Sequence, residues 1–377
     1  MKRDKKKIIR AVTVSMSLCF CRDVMIKMRA MGYHMMAVTS PGPELDDLRE
    51  KDGFGCEAVP MRRHVSIVSD LKSLIKMVAV FRKERPWVVH SMTPKAGLIC
   101  MMAAWLTRVP VRVHTFTGLV WPTASGLKRR VLMMTDWITC ACATHVIPEG
   151  RGVMDDLRRG GITRKPMRVL GYGNVMGVDM TRFSPERFAP HENDGVFTFL
   201  FVGRIVRDKG INELVEAFVR LHADHPMTRL VLVGNYERSL DPVSHDTQRL
   251  IDTCDAIEAV GPKRGDDLVR AYAAVDCFVM PSYREGFPNT VLEAGAMGLP
   301  SIVTDINGSR EIVENWKNGL VVPPRDAAAL HAAMKSMLTD DGARQRMAHE
   351  ARPMIASRFD RDFVQRCQIE FYKELIE

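Results

Sequence analysis

Glu285 and Glu293 stand eight residues apart in PSYREGFPNTVLEAGAMG, residues 281–298. Two carboxylates at that spacing can grip hydroxyl groups, provided a loop carries one and a helix the other. The local signals supply that frame. The apolar run CFVM, 277–280, reads as a buried strand stopped by Pro281. A polar loop with Glu285 and Gly286 follows, and Pro288 falls where a first-turn helical proline belongs. Asn289 and Thr290 then open a packed helix, with Glu293 about a turn and a half into it. Unpaired N–H groups and the positive dipole end make such a helix start a seat for phosphate. Carboxylates on both sides of a phosphate seat suit a nucleotide sugar. Taken singly, either glutamate reads equally as a solvated surface residue.

A second group lies upstream. FTFLFV, 197–202, is an uninterrupted buried strand, and GRIVRDKG, 203–210, hangs Arg204 and Lys209 over its junction with a helix. Arg204 can hold a diphosphate bidentately and Lys209 supplies a mobile point charge. A third group precedes both. HSMTPKAG, 90–97, puts His90 at a strand end and Lys95 in a strand-to-helix loop, and VRVHTFTG, 111–118, ends another strand on His114. Read alone, Lys95 is as well placed to be a solvated lysine, and His114 to be a structural histidine.

The elements that position these groups alternate. Strand patterns at 8–14, 33–38 and 87–90 are separated by helical patterns at 21–31 and 65–84, and the alternation resumes after residue 197. Short connections between such units imply parallel sheets covered by helices, the doubly wound α/β architecture, with ligands gathered beyond the strand C-termini. RVL at 168–170 reads as a further strand before a glycine-rich turn, and polar FAPHENDG, 188–195, as the linker between two domains, 1–187 and 188–360. The basic start and apolar stretch at 1–21 imitate a leader peptide. Ile8 to Val14 fits a first buried strand better, and no apolar run reaches the ~18–20 residues that cross a bilayer.

A chain of 377 residues can bury two cores. The net charge of +9 is uneven: residues 1–187 carry 32 Lys and Arg against 16 Asp and Glu, and residues 188–377 carry 22 against 29. The basic half points to a phosphate-bearing substrate or an anionic membrane surface. No basic-aromatic patch accompanies it, which argues against nucleic acid. Residues 121–137 combine Lys128, Arg129 and Arg130 with an apolar face, a pattern suited either to an anionic membrane or to covering a sheet. Nine irregularly spaced cysteines indicate a reducing, cytoplasmic compartment. Cys140, Cys142 and His145 lack a second ligand cluster and read as buried thiols beside a lone histidine, and the D-x-D at 360–362 lies far from the other motifs. No metal site and no cofactor are expected.

EGFPNTVLE, in register with EAGAMGLPSIVTDINGSREIVENWKNGLVVPPRD, resembles the E-x7-E signature of family-4 glycosyltransferases, retaining enzymes of the GT-B fold. The resemblance covers nearly the whole chain and is strongest over 197–324. It implies two Rossmann-like domains facing across a cleft, the first binding the acceptor and completed by the last helix, 361–377, the second binding the nucleotide sugar. It implies metal-independent transfer of a hexosyl or N-acetylhexosaminyl group from a UDP-linked donor. The donor-binding set would be Gly203, Arg204, Lys209, Glu285, Gly286, Phe287, Asn289, Thr290 and Glu293, with Glu285, Arg204, Lys209 and His114 serving catalysis. The segments around His90, Lys95 and His114 resemble those of bacterial family-4 enzymes that build surface polysaccharides. There His114 would face the donor sugar, while Lys95 and His90 would contact an acceptor such as a polyprenyl-diphosphate-linked sugar. A peripheral enzyme on the inner membrane face is the corresponding expectation. Two rivals share the fold: an epimerase or hydrolase acting on the nucleotide sugar, and a non-catalytic subunit of a polysaccharide assembly complex. Two departures stand out. Residues 1–31 contain no glycine where relatives have a glycine-rich loop after the first strand, and Glu149 replaces a common serine.

Overall fold

The computed structural model describes residues 3–62, 66–188, 195–237 and 241–376. Most of the expected linker, 189–194, and Val65 at the start of the 65–84 segment lie outside the described residues. The chain divides into two compact units, one of residues 1–176 and 362–377, the other of 177–361. The division comes before the 187/188 boundary read from the sequence, for a physical reason. Val178 and Phe183 are buried in the second unit's core. The Arg352 guanidinium also donates to the carbonyls of Met180 at 2.9 Å and Phe183 at 2.6 Å. Residues 177–188 are thereby laced onto the second unit.

In the first unit the chain runs β1 (Lys7–Ala11), α1 (Arg22–Ala30), β2 (His34–Thr39), α2 (Pro43–Glu50), β3 (Gly55–Ala58), α3 (Ile67–Glu84), β4 (Val88–Met92), α4 (Pro94–Leu106), β5 (Val111–Phe116), α5 (Gly126–Cys142), β6 (His145–Pro148) and α6 (Arg151–Arg159). The strands form one parallel sheet in the order β3-β2-β1-β4-β5-β6. The chain moves one way from β1 and the other way from β4, so right-handed crossovers put α3, α4 and α5 on one face and α1 and α2 on the other. Two separate apolar clusters follow those two faces. The segment 168–170 is not a strand. Only Met167 bridges to Val146 on the edge strand β6, because the chain turns away at Gly171 (φ +57°).

The second unit repeats the plan: β7 (Phe197–Val202), α7 (Ile211–Asp224), β8 (Thr228–Val233), α8 (His245–Thr253), β9 (Ile257–Gly261), α9 (Gly265–Ala273), β10 (Cys277–Met280), α10 (Asn289–Ala296), β11 (Ser301–Thr304), α11 (Ser309–Ile312), β12 (Gly319–Val322), α12 (Ala327–Thr339) and α13 (Asp341–Phe359). All pairings are again parallel, in the order β12-β11-β10-β7-β8-β9. Helices cover both faces, so β7 and β10 are apolar at nearly every position. The direction of winding reverses between β7 and β10, where the loops leaving those two strands come together. Open α/β sheets bind ligands in such a crevice.

The last helix, α14 (Arg361–Ile376), packs on the first unit. Tyr372 is fully buried there and its hydroxyl accepts from the Arg10 guanidinium in β1. Asp360 bridges through its backbone to Val178 in the second unit, and the Asp362 carboxylate pairs with Lys27 at 2.6 Å in the first.

Candidate active site

The loop after β7 carries Gly203, Arg204 and Lys209, and the loop after β10 carries Glu285 and Gly286. The two touch at Gly210, whose φ of +72° lets the chain turn into α7. A Cβ on Gly210 would lie 2.0 Å from the Pro281 carbonyl oxygen, so no side chain fits between the loops. The Tyr283 N–H donates to the Asp208 carbonyl at 2.9 Å, and the Arg284 guanidinium reaches the Asp208 carboxylate at 3.2 Å. This clamp delivers Lys209 to Glu285: the ammonium donates to Oε1, with the two side chains only 16% and 14% exposed. Shelter from water makes the pair strong and makes removal of either partner costly. Arg204 shares the loop, yet its half-exposed guanidinium pairs with Glu237 beyond β8.

Glu293 extends from α10 toward α9, where the Tyr272 hydroxyl donates to it at 2.9 Å. Burial raises the Glu293 carboxyl to about 7, against the opposing pull of Tyr272 and Arg182. It can therefore donate as well as accept near neutral pH. At the start of α10 the N-cap residue is Pro288, which makes no side-chain cap hydrogen bond. Pro288 is the residue before the first turn, not within it. The stretch Gly286–Pro288 is braced from behind by Gly308 (φ +74°), where a Cβ would sit 2.3 Å from the Gly286 carbonyl oxygen. The Phe287 ring is buried 5.3 Å from that of Phe359, which leaves its backbone for a ligand.

In the first unit, His114 is buried within β5, which runs two residues past the strand end read from the sequence, with Nδ1 2.9 Å from the Ser91 hydroxyl and its ring edge-on to Phe116. Gly97 makes room for it, since a Cβ there would lie 2.4 Å from the imidazole. Burial drives the His114 pKa down to about 3, so the ring is neutral at physiological pH. Lys95, at the start of α4, pairs with Asp70 of α3 at 2.6 Å and is largely shielded. His90 was expected to contact an acceptor, and the structure assigns it elsewhere. Both of its ring nitrogens are used, Nδ1 by Arg10 (2.8 Å) and Tyr372 (2.6 Å), Nε2 by Thr115 (2.7 Å). The glycine-free loop after β1 is also accounted for. It forms a short 3-10 turn, Ser15–Phe20, and the close approach is provided by Gly42 after β2, where a Cβ would be 2.0 Å from the Ser15 hydroxyl. Glu149, which replaces the common serine, is buried after β6, its N–H donating to the Phe116 carbonyl at 3.0 Å.

Sequence reasoning missed Glu237, Tyr272, Asp70 and Ser91, the partners of Arg204, Glu293, Lys95 and His114. Nothing in their own neighbourhoods marks them. All nine cysteines are free, and among the described residues no group of three or more His, Cys, Asp or Glu could hold a metal ion.

The neutral histidines predict an acid-sensitive first unit. The folded pKa of His114 lies below the unfolded value near 6.5, so on acidification the unfolded chain takes up the proton first. Stability from this group is full above about pH 6.5 and falls by roughly 1.4 kcal/mol per pH unit below it. Thermal unfolding followed from neutral pH down to mildly acid pH should show a shallower decline for His114→Gln than for the wild type. Parallel curves would contradict the buried neutral imidazole.

Residues 20–173 match the "Glycosyl transferase 4-like domain" model and residues 183–354 match "Glycosyl transferases group 1". The chain is 31% identical over 372 residues to the capsular polysaccharide biosynthesis glycosyltransferase CapM of Staphylococcus aureus, covering 95% of this chain and 94% of that protein. It is 28% identical over 315 residues to an Escherichia coli UDP-Gal:alpha-D-GlcNAc-diphosphoundecaprenol alpha-1,3-galactosyltransferase, covering 79% of this chain and 78% of the relative. In fold it resembles Anabaena Alr3699/HepE, solved in complex with UDP, with a TM-score of 0.78 at 17% identity over 98% of this chain and all of that one. Two parallel doubly wound units, both family domains and a relative aligned almost end to end lead to one conclusion: the chain belongs to the family-4-like glycosyltransferases of GT-B fold that act in surface-polysaccharide synthesis.

Proposed function

We propose that this glycosyltransferase moves a hexosyl or N-acetylhexosaminyl group from a UDP-linked donor to a polyprenyl-diphosphate-linked sugar, with retention of anomeric configuration and without a metal ion. The reading rests on one observation above others, the meeting of Lys209 with Glu285 at the point where the second sheet reverses its winding. An ammonium there suits the charge that builds on a departing diphosphate, and a carboxylate beside it suits sugar hydroxyls. Arg204 would add a second cation after exchanging Glu237 for phosphate. Asn289 and Thr290 would offer backbone N–H groups, with Gly203, Gly286 and the Phe287 backbone allowing close approach. Glu293, steadied by Tyr272, would hold the ribose. Lys95 would meet an acceptor phosphate after releasing Asp70, and the neutral His114 would hydrogen-bond a sugar hydroxyl. The naming of an E. coli relative for an undecaprenol-linked acceptor supports the acceptor class, and the UDP complex of the Anabaena protein supports the nucleotide. The free cysteines support a cytoplasmic setting.

Purified protein incubated with UDP-sugars and short-chain polyprenyl-diphosphate sugars should give a glycosylated lipid whose new linkage keeps the donor's anomeric configuration. The yield should be unchanged in chelator. Loss of transfer in chelator with restoration by magnesium would sink metal independence. Donor consumption at full rate with no acceptor present would point instead to a hydrolase or epimerase.

A further inference from the structure

Tyr283 lies between Pro281, where the loop after β10 begins, and Glu285, and it touches both ends of the turn that carries Lys209. Its N–H donates to the Asp208 carbonyl at 2.9 Å, one residue before Lys209. Its hydroxyl lies 2.7 and 2.8 Å from the two carboxylate oxygens of Glu213, in the first turn of α7 just after Gly210. Burial, with the Glu213 carboxylate beside it, pushes the phenol well above its usual range, so the hydroxyl keeps its proton and donates it. A bond from O–H to a carboxylate is of the stronger, charge-assisted kind. One side chain thus spans the turn from Asp208 to Glu213.

A third loop closes over the ring. Arg325 follows β12, and its guanidinium carbon stands 4.6 Å from the Tyr283 ring centroid, within cation–π range. The Arg325 backbone has a φ of +62°, a left-handed conformation that glycine holds without strain and that residues with a side chain rarely take. Such strain persists only where the surroundings over-determine it, and it gathers at functional sites. The side chain carried by this strained backbone is the one stacked on Tyr283. Three loops, those after β7, β10 and β12, therefore meet on a single aromatic residue beside the crevice.

We propose that Tyr283, held by Glu213 and Arg325, is a positioning residue that aims the Lys209 ammonium at Glu285, a role that rests on the donor-diphosphate function given to Lys209 above. Lys209 adjoins the Asp208 contact and Glu285 is two residues beyond Tyr283, so both members of the pair leave the backbone next to it. Without the hydroxyl, the Glu213 carboxylate loses this donor and the start of α7 is freed from the loop after β10. The aromatic ring and the close approach of Gly210 to Pro281 remain, so the fold survives while the aim of Lys209 loosens.

Two variants test this. Tyr283→Phe keeps the ring and removes the hydroxyl. Arg325→Asn removes the cation with a residue that tolerates the left-handed backbone. Tyr283→Phe should lower kcat about tenfold, since displacements well below an ångström already misalign reacting groups. Arg325→Asn should lower it about threefold, as loss of an exposed cation–π contact predicts. In a Lys209→Ala background either change should cost no more than about a further twofold, because residues acting through one group are not additive. The reactivity of the Lys209 ammonium toward an acylating reagent, followed by peptide mass spectrometry, reads the same contact without sugar transfer. It should rise about tenfold in Tyr283→Phe, the factor by which loss of one hydrogen bond to a charged group shifts an opening equilibrium. Lys95, sheltered against Asp70 in the first unit, should keep its wild-type rate. Losses that multiply with that of Lys209→Ala would overturn the positioning role, as would unchanged kcat and unchanged Lys209 reactivity in Tyr283→Phe. Absence of UDP binding and of transfer in the wild type, with faster Lys209 acylation in Tyr283→Phe, would remove the donor reading and leave the Tyr283 brace standing.

Discussion

Sugar transfer by Lys209→Ala is expected to fall about 10²–10³-fold in kcat, the range found for loss of one preorganised charge-stabilising donor. Lys209 sits in the crevice between β7 and β10, sheltered and aimed by a clamp of backbone contacts at Gly210, Pro281 and Asp208. Its charge would therefore need little reorganisation if, as proposed, a diphosphate departs beside it. The variant has a second consequence, because Glu285 loses the cation that accompanies it inside the protein. The two effects are separable. If Lys209 only neutralises Glu285, adding Glu285→Gln to Lys209→Ala should restore much of the activity. If it holds the diphosphate, the double variant should stay as slow as the single one, and calorimetry should show weakened UDP binding in both. Arg204→Ala should lose less, about tenfold, since its guanidinium is half exposed and already committed to Glu237. Wild-type kcat with unchanged nucleotide affinity in Lys209→Ala would refute the assignment.

Gly210→Ala is the second large effect expected, and it adds one methyl group far smaller than any catalytic side chain. The φ of +72° costs an L-residue roughly 1–2 kcal/mol by itself. The added Cβ would also meet the Pro281 carbonyl at 2.0 Å, a backbone atom that cannot rotate away. The two loops must then separate by about an ångström, and displacement on that scale costs roughly 100-fold in rate when it misaligns reacting groups. Gly298→Ala supplies the control. Gly298 also has a positive φ, +78°, but a Cβ there would meet nothing within 4 Å. It should lower the unfolding midpoint with little change in kcat, whereas Gly210→Ala should lower both. Equal kinetic effects of the two substitutions would mean that the loop junction does not position the site.

The strands that frame the site were legible because of where they lie. β7 and β10 were read from the sequence with the bounds the structure gives them, as apolar runs closed by glycine or proline. Central strands of a parallel sheet are covered on both faces, so nearly every residue must be apolar and the signal is unbroken. The segment 168–170 carries a similar apolar pair, but its chain meets β6 through Met167 alone, and propensity without a partner strand forms no sheet. The loop positions of Arg204, Lys209 and Glu285 were legible for the same reason, since each follows a strand whose end the sequence marks.

Which of those residues meet, and in what charge state, was a different matter. Lys209 and Glu285 are 76 residues apart, Tyr272 and Glu293 are 21, and Arg10 and Tyr372 are 362. His90 and His114 look alike in sequence, each a polar residue after an apolar strand pattern, and both lie inside their strands. Only the packing of α14, which brings Tyr372 to His90, makes the first a structural histidine with both nitrogens spent. Only the bare backbone of Gly97 lets the second sit neutral against α4. The raised carboxyl of Glu293 depends in the same way on α9 closing over it. Local sequence determined backbone conformation and therefore where each candidate group leaves the chain. Partners, burial and ionisation were decided by tertiary structure, because desolvation and hydrogen bonding depend on whatever fills the few ångströms around a side chain, and in a doubly wound sheet that material comes from distant turns of the chain.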